Sequence, residues 1–498
     1  MLTKVISLVV LLAFINMIGC TRAVKVNKEK LTSHTEKIVE VVLPTGEVIK
    51  FDHNGGRFIP EKRVIAGFTE SGSHVEVNVD DILYARVSRS NALGTIVTIV
   101  GVLVLALAVV FAIALATKES CPFVYSYDGE KFVFDAEPYG GAICQGLKKT
   151  DYSRLEHLKS VGGEYRLLLK NEVEETQYTD EMSLLIVDHS TNSSIMPDQN
   201  GNMYVIEKPI SPLSTLDEKG RDLTKFIAHS DNIAWQSSLP TDTFYRGRNL
   251  RHQLTFKFPK PPKVSKGYLL INIGTGLWGS NMIKEMLELR GDKVDAWYGG
   301  VNRQGLELKE LYDFIEREEL YVLKLYLKQG EEWVQQGVIP GGGPFINEDR
   351  VISLNLSEVD SETLEVRLNP PMGFWAIDYV GIEYESHPSP EVKKVSVKSA
   401  KDQDGKDVSE LLLTTDNRYQ IMPEVGNWVK VIFDLPSPQN GTKRSIFLKT
   451  SGYYEIHLSK NKPEQKELIQ KLLTTPGMIV EFAMDRYLEW RSKQLSSN

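Results

Sequence analysis

The stretch "CPFVYSYDGEKFVFDAEPYGGAIC", residues 121–144, decides the fold class. Four aromatic residues alternate with other residues on the two sides of the turn pair Asp128-Gly129: Tyr125, Tyr127, Phe132 and Phe134. Successive side chains of a strand point to opposite faces, and Asp-Gly is a preferred hairpin turn. The stretch therefore predicts a half-buried β-hairpin with its aromatic side chains on one face.

The chain downstream of this hairpin repeats the same strand-and-turn character. Runs such as "EYRLLLK", "QLTFKFP", "GYLLINIGT" and "AIDYVGIEY" have strand length and are bounded by Gly, Pro, Asn or Asp. Helical periodicity is found in "SNMIKEMLELRG" and in the last part of the chain, from "KPEQKELIQKLL" onward. The sequence therefore predicts a mainly β protein with a large β-sandwich-type region, a few helices and a helical C-terminus.

A second, smaller β domain is expected upstream, at residues 37–90. Alternating runs such as "EVIKF" and "HVEVNV" are separated by turn residues such as Asn54-Gly55-Gly56. This pattern predicts four or five short antiparallel strands in a small β-roll or barrel.

An apolar run from Asn91 to Thr117 follows that domain and contains no charged residue. At about 1.5 Å rise per residue it is long enough to cross a bilayer, and it predicts a transmembrane helix at 92–117. Arg86 and Arg89 precede the run and Lys118 follows it. This small excess of positive charge favours a cytoplasmic location for the N-terminal side of the run. A lipid on Cys20 would favour the opposite orientation, so the side occupied by residues 118–498 stays open.

Cys20 is a predicted lipidation site. Lys4 and a following apolar core have the form of a signal peptide, residues 1–19, and Gly19 stands directly before the cysteine. This arrangement resembles the bacterial lipobox, with Met17 in place of the usual leucine. The alternative is an incidental cysteine in an ordinary signal peptide. Residues 20–36 are polar and predict a flexible tether.

Composition limits the remaining functions. The 498 residues carry a net charge of −8 and no dense basic stripe, so nucleic acid is not an expected partner. Besides Cys20 the chain has Cys121 and Cys144, which could form one disulfide in an exported protein or remain two reduced core thiols.

An internal sequence similarity predicts a duplicated strand-turn unit. "DEKGRDLTKFI" at 217–227 and "DQDGKDVSELL" at 402–412 share their order of Asp, Gly, basic and hydroxyl residues. The motif predicts an aspartate turn with Gly220 and Gly405 at positive φ, and a calcium loop is the less favoured interpretation. This similarity predicts a domain boundary between a β-rich region, 120–388, and a β-rich repeat unit with C-terminal helices, 389–498.

The β-rich part also resembles a known group of proteins. "CPFVYSYDGEKFVFDAEPYGGA", "NEVEETQYTDEMSLLIVDH", "LYLKQGEEWVQQGVIPGGGP" and "NPPMGFWAIDYVGIEY" are similar to the C-terminal region of exported bacterial proteins, some of which carry tetratricopeptide or FG-GAP/UnbV-type repeats. The resemblance covers roughly residues 120 to 460 and implies a bacterial envelope protein with a binding or scaffolding role. It supplies no catalytic residues.

One polar cluster is the candidate for a catalytic or metal-binding site. No G-x-S-x-G, H-E-x-x-H or P-loop motif is present, and no metal or cofactor is expected. Four residues near the hairpin could meet as ligands or as an acid and base pair: Asp135, Glu137, Glu156 and His157. Aromatic residues near glycines could stack on sugars, although core packing is the favoured role: Trp278, Trp297, Tyr298 and Trp375.

Two functional hypotheses follow. The first is a membrane-anchored lipoprotein of the bacterial cell envelope with a non-catalytic binding or scaffolding role, whose partner is an envelope protein or a glycan. The second is a hydrolase acting on polysaccharide with paired carboxylates such as Glu137 and Glu156.

Overall fold

The computed structural model describes residues 21–28, 31, 37–69, 71–90, 122–240, 244–385 and 387–496. The chain divides into two compact units, Met1–Ala116 and Thr117–Asn498. The predicted signal peptide, Cys20 and the predicted span at 92–117 lie outside the described residues. Within the described ranges, no helix has both the length and the apolar character needed to cross a membrane.

The first unit is a small β structure. Its strands are β1 (Thr21–Val26), β2 (Lys37–Val42), β3 (Val48–Lys50), β4 (Arg57–Ile59), β5 (Val64–Phe68), β6 (His74–Asn78) and β7 (Tyr84–Ser90). They form two antiparallel sheets, in the orders β1-β7-β2-β3 and β4-β5-β6. The flexible tether expected at 20–36 is corrected in its first part, because residues 21–26 form strand β1 and pair along their whole length with β7.

The second unit contains the long β-rich region. Its first strands are β8 (Phe123–Tyr127), β9 (Phe132–Ala136), β10 (Lys149–Arg154), β11 (Glu164–Lys170), β12 (Glu175–His189), β13 (Ser194–Pro197) and β14 (Met203–Ile206). They are followed by β15 (Ser214–Leu216), β16 (Trp235–Gln236), β17 (Leu254–Pro259), β18 (Lys266–Thr275), β19 (Val322–Gln329), β20 (Glu332–Pro340) and β21 (Glu348–Asn355). The last strands are β22 (Thr363–Leu368), β23 (Trp375–Glu383), β24 (Lys393–Asp402), β25 (Gln420–Met422), β26 (Trp428–Asp434) and β27 (Lys443–Ile456).

Six α-helices accompany these strands in the described residues. They are α1 (Thr224–Ile227), α2 (Leu277–Glu288), α3 (Val294–Asn302), α4 (Leu306–Glu318), α5 (Lys466–Thr474) and α6 (Met478–Ser496). The predicted helix in "SNMIKEMLELRG" and the two predicted C-terminal helices are confirmed. Helices α3 and α4 were not expected from the sequence.

The mainly β prediction is confirmed, and the strands form two modules. Module I consists of β8–β12 and β24–β27, with the path β10-β27-β12-β24-β26-β11-β8-β9 and β25 paired to β12. Strands β9 and β10, at the two ends of that path, also contact one another, so the sheet is a nearly closed barrel. Module II consists of β15–β23, in two sheets.

The two modules have the same strand arrangement. The sheet β15-β17-β22-β19-β20 of module II corresponds strand for strand to β24-β26-β11-β8-β9 of module I. The sheet β16-β23-β18-β21 corresponds in the same way to β25-β12-β27-β10. The duplication therefore includes every strand of both modules and is much larger than the strand-turn unit predicted from the sequence.

Irregularities of the sheets repeat as well. The pairing of β12 with β27 skips Asp180, and the pairing of β23 with β18 skips Asp378. The β8–β9 hairpin skips Asp135, and the β19–β20 hairpin skips Gln336. Because a β-bulge fixes the local register, these bulges align the two modules residue by residue.

The two predicted turns are confirmed as equivalents. The Asp217 carboxylate accepts hydrogen bonds from the backbone N–H groups two and four residues later, at 2.9 and 2.8 Å. Asp402 accepts the corresponding two bonds at 3.0 Å each. Gly220 and Gly405 have φ of 75° and 78°. The aspartates act here as turn formers.

The boundary expected between residues 388 and 389 lies between β23 of module II and β24 of module I. Strand β24 begins after that boundary and pairs with β12, which lies far before it. Residues 120–388 contain all of module II but only β8–β12 of module I, because module I is completed by β24–β27 from the other end of the second unit. This assembly from distant segments brings the candidate site together.

Candidate functional site

A large cavity of the second unit lies between the two modules. Its volume is about 1010 Å³. Module I contributes the end of β9, the end of β10 and the loop after β10, while module II contributes the loop before β16, parts of β18 and β23, and the segment 344–349. The hairpin of β13 and β14 contributes a further part of the wall. A concave site between two rigid units is a common position for ligand binding.

The four polar residues predicted from the sequence all line this cavity: Asp135, Glu137, Glu156 and His157. The two glutamates differ in exposure, because the Glu137 residue is 2% exposed whereas the Glu156 side chain is 66% exposed. The structure therefore brings the predicted cluster together but gives its members different roles.

Asp135 organises the cavity wall of its own module. Its carboxylate accepts hydrogen bonds from the backbone N–H groups of Glu156 and His157, both at 3.0 Å. The Nδ1 atom of His157 lies 2.9 Å from Asp135 Oδ1. Asp135 is the bulged residue of β9, and the bulge directs this carboxylate to the following loop.

Glu137 joins the two modules. Its Oε2 atom accepts a hydrogen bond of 2.9 Å from the backbone N–H of Phe345. A Cβ atom at residue 343 would collide with the same carboxylate, so Gly343 permits this close approach. The "PGGGP" sequence is thus a loop that meets a carboxylate of the other module.

Two further carboxylates on the cavity wall also take part in contacts between the modules. Glu348 accepts a hydrogen bond of 3.0 Å from Ser153 Oγ and forms a close ion pair with Arg350. Burial raises the pKa of Glu348, and the guanidinium of Arg350 opposes that rise. Asp349 lies 3.5 Å from Arg154 and accepts a hydrogen bond from Asn272 at 2.9 Å. Most of the acidic groups therefore hold the cavity wall in place.

The chemical character of the cavity is acidic, polar and partly aromatic. Its carboxylates are those of Asp135, Glu137, Glu156, Glu348 and Asp349, with Arg154 as the one lysine or arginine among the lining residues. Carboxamides and aromatic rings complete the wall: Asn232, Gln236, Asn272, Asn347, Phe134, Phe345 and Tyr379. In the part of the chain that the structure describes, no group of three or more His, Cys, Asp or Glu side chains could hold a metal ion.

The contribution of module II to this site was not predicted from the sequence. "NEDR" at 347–350 is separated from "PGGGP" by two residues, and its polar run was the available signal. The aspartate at the bulge of β23, Asp378, lies in an apolar run and gave no signal of its own. Both segments reach the cavity only through the pairing of strands that are distant in the sequence.

The other sequence candidates lie elsewhere. Cys144 is a free, buried thiol, and Cys121 lies outside the described residues. Trp297 and Tyr298 are buried in α3, and Trp375 is fully buried and donates a hydrogen bond of 2.7 Å to the Glu319 carbonyl. The favoured interpretation of these three aromatic residues as core is confirmed.

Comparisons with known proteins give no family. No family model and no curated protein matches the chain. Among solved structures, a chain from the Sulfolobus turreted icosahedral virus matches 68% of this chain over 100% of its own length, at 9% identity and a TM-score of 0.12. A chain described under the triple jelly roll fold and turret assembly of an archaeal virus matches 68% over 96% of its own length, at 8% identity and a TM-score of 0.13. Scores this low carry no argument about fold or function.

Proposed function

We propose that the chain is a membrane-anchored lipoprotein of the bacterial cell envelope that binds a glycan in the cavity without catalysing a reaction. The observation that carries this proposal is the cavity itself, which is open, polar and formed by both modules. Hydroxyl-rich ligands suit carboxamide and carboxylate partners together with aromatic faces. The lipid at Cys20 and the span at 92–117 are the proposed anchors.

A binding role agrees with the way the carboxylates are used. Glycoside hydrolysis needs a carboxyl group that protonates the leaving oxygen and a second carboxylate facing it across the substrate. Glu137 is instead buried and holds the backbone of Phe345. The hydrolase with Glu137 and Glu156 remains the alternative function, because both residues line the same cavity.

The test uses the full chain in detergent and an array of bacterial glycans. The Gln236→Trp variant places a large ring on the cavity wall and should abolish glycan binding. The matched control is Ile421→Trp, because Ile421 pairs with Tyr178 as Gln236 pairs with Ala376 in the equivalent strands. Ile421 is exposed, so the control should fold and bind normally.

The outcomes separate the two functions. Equal glycan binding by Gln236→Trp and Ile421→Trp would show that the cavity is not the site. Shortening of a bound polysaccharide by the wild type, lost in Glu156→Gln and retained in the exposed control Glu358→Gln, would favour the hydrolase. Capture of a protein with no affinity for any glycan would favour a protein partner.

A further inference from the structure

Three tyrosines fill one end of module I. Tyr178 and Tyr453 stack with ring centroids 4.4 Å apart, and Tyr419 meets them edge-on at 5.9 and 5.3 Å. Lys148 lies over the Tyr419 ring at 5.3 Å. This end of module I is therefore closed by its own side chains.

The aligned positions of module II carry the smallest side chains. Tyr178 pairs with Tyr453 across β12 and β27, and Ala376 pairs with Gly274 at the same distance from the bulge of β23. Ala234 directly precedes β16, as Tyr419 directly precedes β25. Ala234 and Ala376 line the cavity. The cavity thus opens where three tyrosines close the sister module.

The bulged aspartate of module I has a complete set of partners. Asp180 is fully buried and accepts hydrogen bonds from the backbone N–H groups of Asp416 and Asn417, at 3.1 and 3.0 Å. The Lys148 ammonium forms a close ion pair with Asp180 and donates to Asn417 Oδ1 at 2.9 Å. A buried carboxylate needs such a cation, because burial without one is costly.

The bulged aspartate of module II lacks the cation. Asp378 is 1% exposed, and its Oδ2 atom accepts from Ser230 Oγ and from the backbone N–H of Asn232, both at 3.3 Å. Its Oδ1 atom is buried and has no hydrogen-bond partner among the residues that the structure describes. Burial raises the pKa of Asp378, although the Asn232 and Ser230 donors oppose the rise.

The residue that stands in place of the lysine is Asn347. It directly precedes β21, as Lys148 directly precedes β10, and its side chain ends in a neutral carboxamide instead of an ammonium. Asn347 lines the cavity, and so do Ser230, Asn232, Ala376 and Tyr379 around the aspartate. Asp378 itself is not a lining residue, but it lies directly behind these neighbours. Module II has kept the buried carboxylate and has no lysine at the position equivalent to Lys148.

We propose that the cavity binds a protonated primary amine of its ligand between Asp378 and Asn232, in the position that the Lys148 ammonium occupies in module I. The ligand class is then an amine-bearing glycan, such as one containing an amino sugar that is not acetylated. This inference rests on the proposed function, since it names the substrate class of the same cavity.

The first experiment tests the empty cation position without any ligand. Asn347→Lys should place an ammonium at Asp378 and raise the midpoint of urea unfolding of the full chain. In an Asp378→Asn background the same substitution should give no rise. Asn347→Met, which has a long side chain without charge, is the matched control. Lys148→Asn copies the module II arrangement into module I and should lower the midpoint.

An equal effect of Asn347→Lys and Asn347→Met, or a rise that persists in the Asp378→Asn background, would overturn the proposal. The experiment does not depend on which glycan binds, so its failure is distinguishable from failure of the proposed function.

The second experiment measures ligand preference by calorimetry at pH 6. The probes are glucosamine, whose amine is protonated, and N-acetylglucosamine, which has no charge. Glucosamine should bind the wild type at least tenfold more tightly, because a charge-assisted hydrogen bond is about twice as strong as a neutral one. Asp378→Asn and Asn347→Lys should each abolish that preference.

Two results would contradict the amine site. One is a glucosamine preference that survives in Asp378→Asn, and the other is no binding of glucosamine to the wild type. If glycan binding that is sensitive to Gln236→Trp remains in either case, the proposed function stands and only the amine site is wrong.

Discussion

Replacing Gly220 or Gly405 by alanine should reduce the free energy of unfolding by the same amount, about 1 kcal/mol each. The two glycines occupy the same position of equivalent aspartate turns, one in each module. Both have left-handed backbone conformations, with φ of 75° and 78°. An alanine must therefore adopt the same unfavourable conformation in both turns.

The left-handed backbone conformation should account for the whole loss in the free energy of unfolding. No atom lies within 4 Å of the position that a Cβ would take at either glycine, so the added methyl group meets no neighbour. The left-handed conformation costs an L-residue roughly 1 to 2 kcal/mol. The loss of unfolded-state freedom when glycine becomes alanine returns about 0.4 to 1 kcal/mol. The net loss is then on the order of 1 kcal/mol per turn.

The assay is urea unfolding of the full chain, with each single variant and the double variant. Because the turns lie in different modules, their effects should add. Gly337→Ala is the control, since Gly337 lies in β20 without a positive φ and the nearest atom to its Cβ position is 3.8 Å away. It should change the free energy of unfolding very little.

Three results would refute this reasoning. Clearly unequal losses at Gly220 and Gly405 would show that the turns are not equivalent. A loss as large at Gly337 would show that the backbone conformation is not the cause. A rise in the unfolding midpoint with millimolar calcium, removed by Asp402→Ala, would make the second turn a metal site.

The remaining predictions concern the membrane anchors and acid stability. Radiolabelled palmitate should enter the wild type and not Cys20→Ser; equal labelling of both would exclude lipidation there. Cys20→Ser should nevertheless stay on membranes during a carbonate wash, because an apolar span at 92–117 anchors more strongly than one acyl chain. Burial would raise the pKa of Glu181, but hydrogen bonds from Lys394 and Lys449 lower it to about 2. Its ionised form therefore stabilises the fold above its ordinary pKa of 4.5, and that stability is lost between pH 4.5 and 2. Glu181→Gln should lack this part of the loss in pH-dependent unfolding.

Local features were predictable from the sequence because they depend on a few neighbouring residues. The hairpin at Asp128-Gly129 has the expected register, with Tyr125 opposite Phe134. The glycine conformation of the aspartate turns was predictable for the same reason, since Asp bonds its own backbone and Gly accepts positive φ.

The architecture was not predictable, because it depends on pairing between distant segments. Strand β27 pairs with β12 from Glu175 to His189, so that the partners lie between 254 (His189 and Lys443) and 281 (Glu175 and Ile456) residues apart in the chain. Such pairs share no local pattern, so the sequence suggested a boundary near residue 388 where the chain crosses back into module I. Helix α4 was missed although Leu308, Leu311 and Ile315 recur at helical spacing, so in this case the local signal was present in the sequence.

The candidate site was predictable only in part. Asp135, Glu137, Glu156 and His157 were found because they are polar residues close to one hairpin. Asp378 was missed because nothing in its own sequence marks it as unusual. It differs from its equivalent, Asp180, only in having no lysine partner, and this difference is visible only when the two modules are compared.

The comparison between the modules also explains why an uncompensated carboxylate can persist in a folded protein. Both modules have a bulge at the same point of the sheet, and in both the bulged residue is an aspartate. Its carboxylate accepts a hydrogen bond from the loop before β16 in module II and from the loop before β25 in module I. In module I, Lys148 and three tyrosines complete the packing, so that end of the module contributes stability alone. In module II the backbone has the same arrangement. The small residues Ala234, Ala376 and Gly274 leave space for an external group there, and Asn347 leaves Asp378 without a cation. The duplicated fold thus separates a closed module from an open one, and the amine that we propose as ligand would replace the ammonium that Lys148 supplies in the closed module.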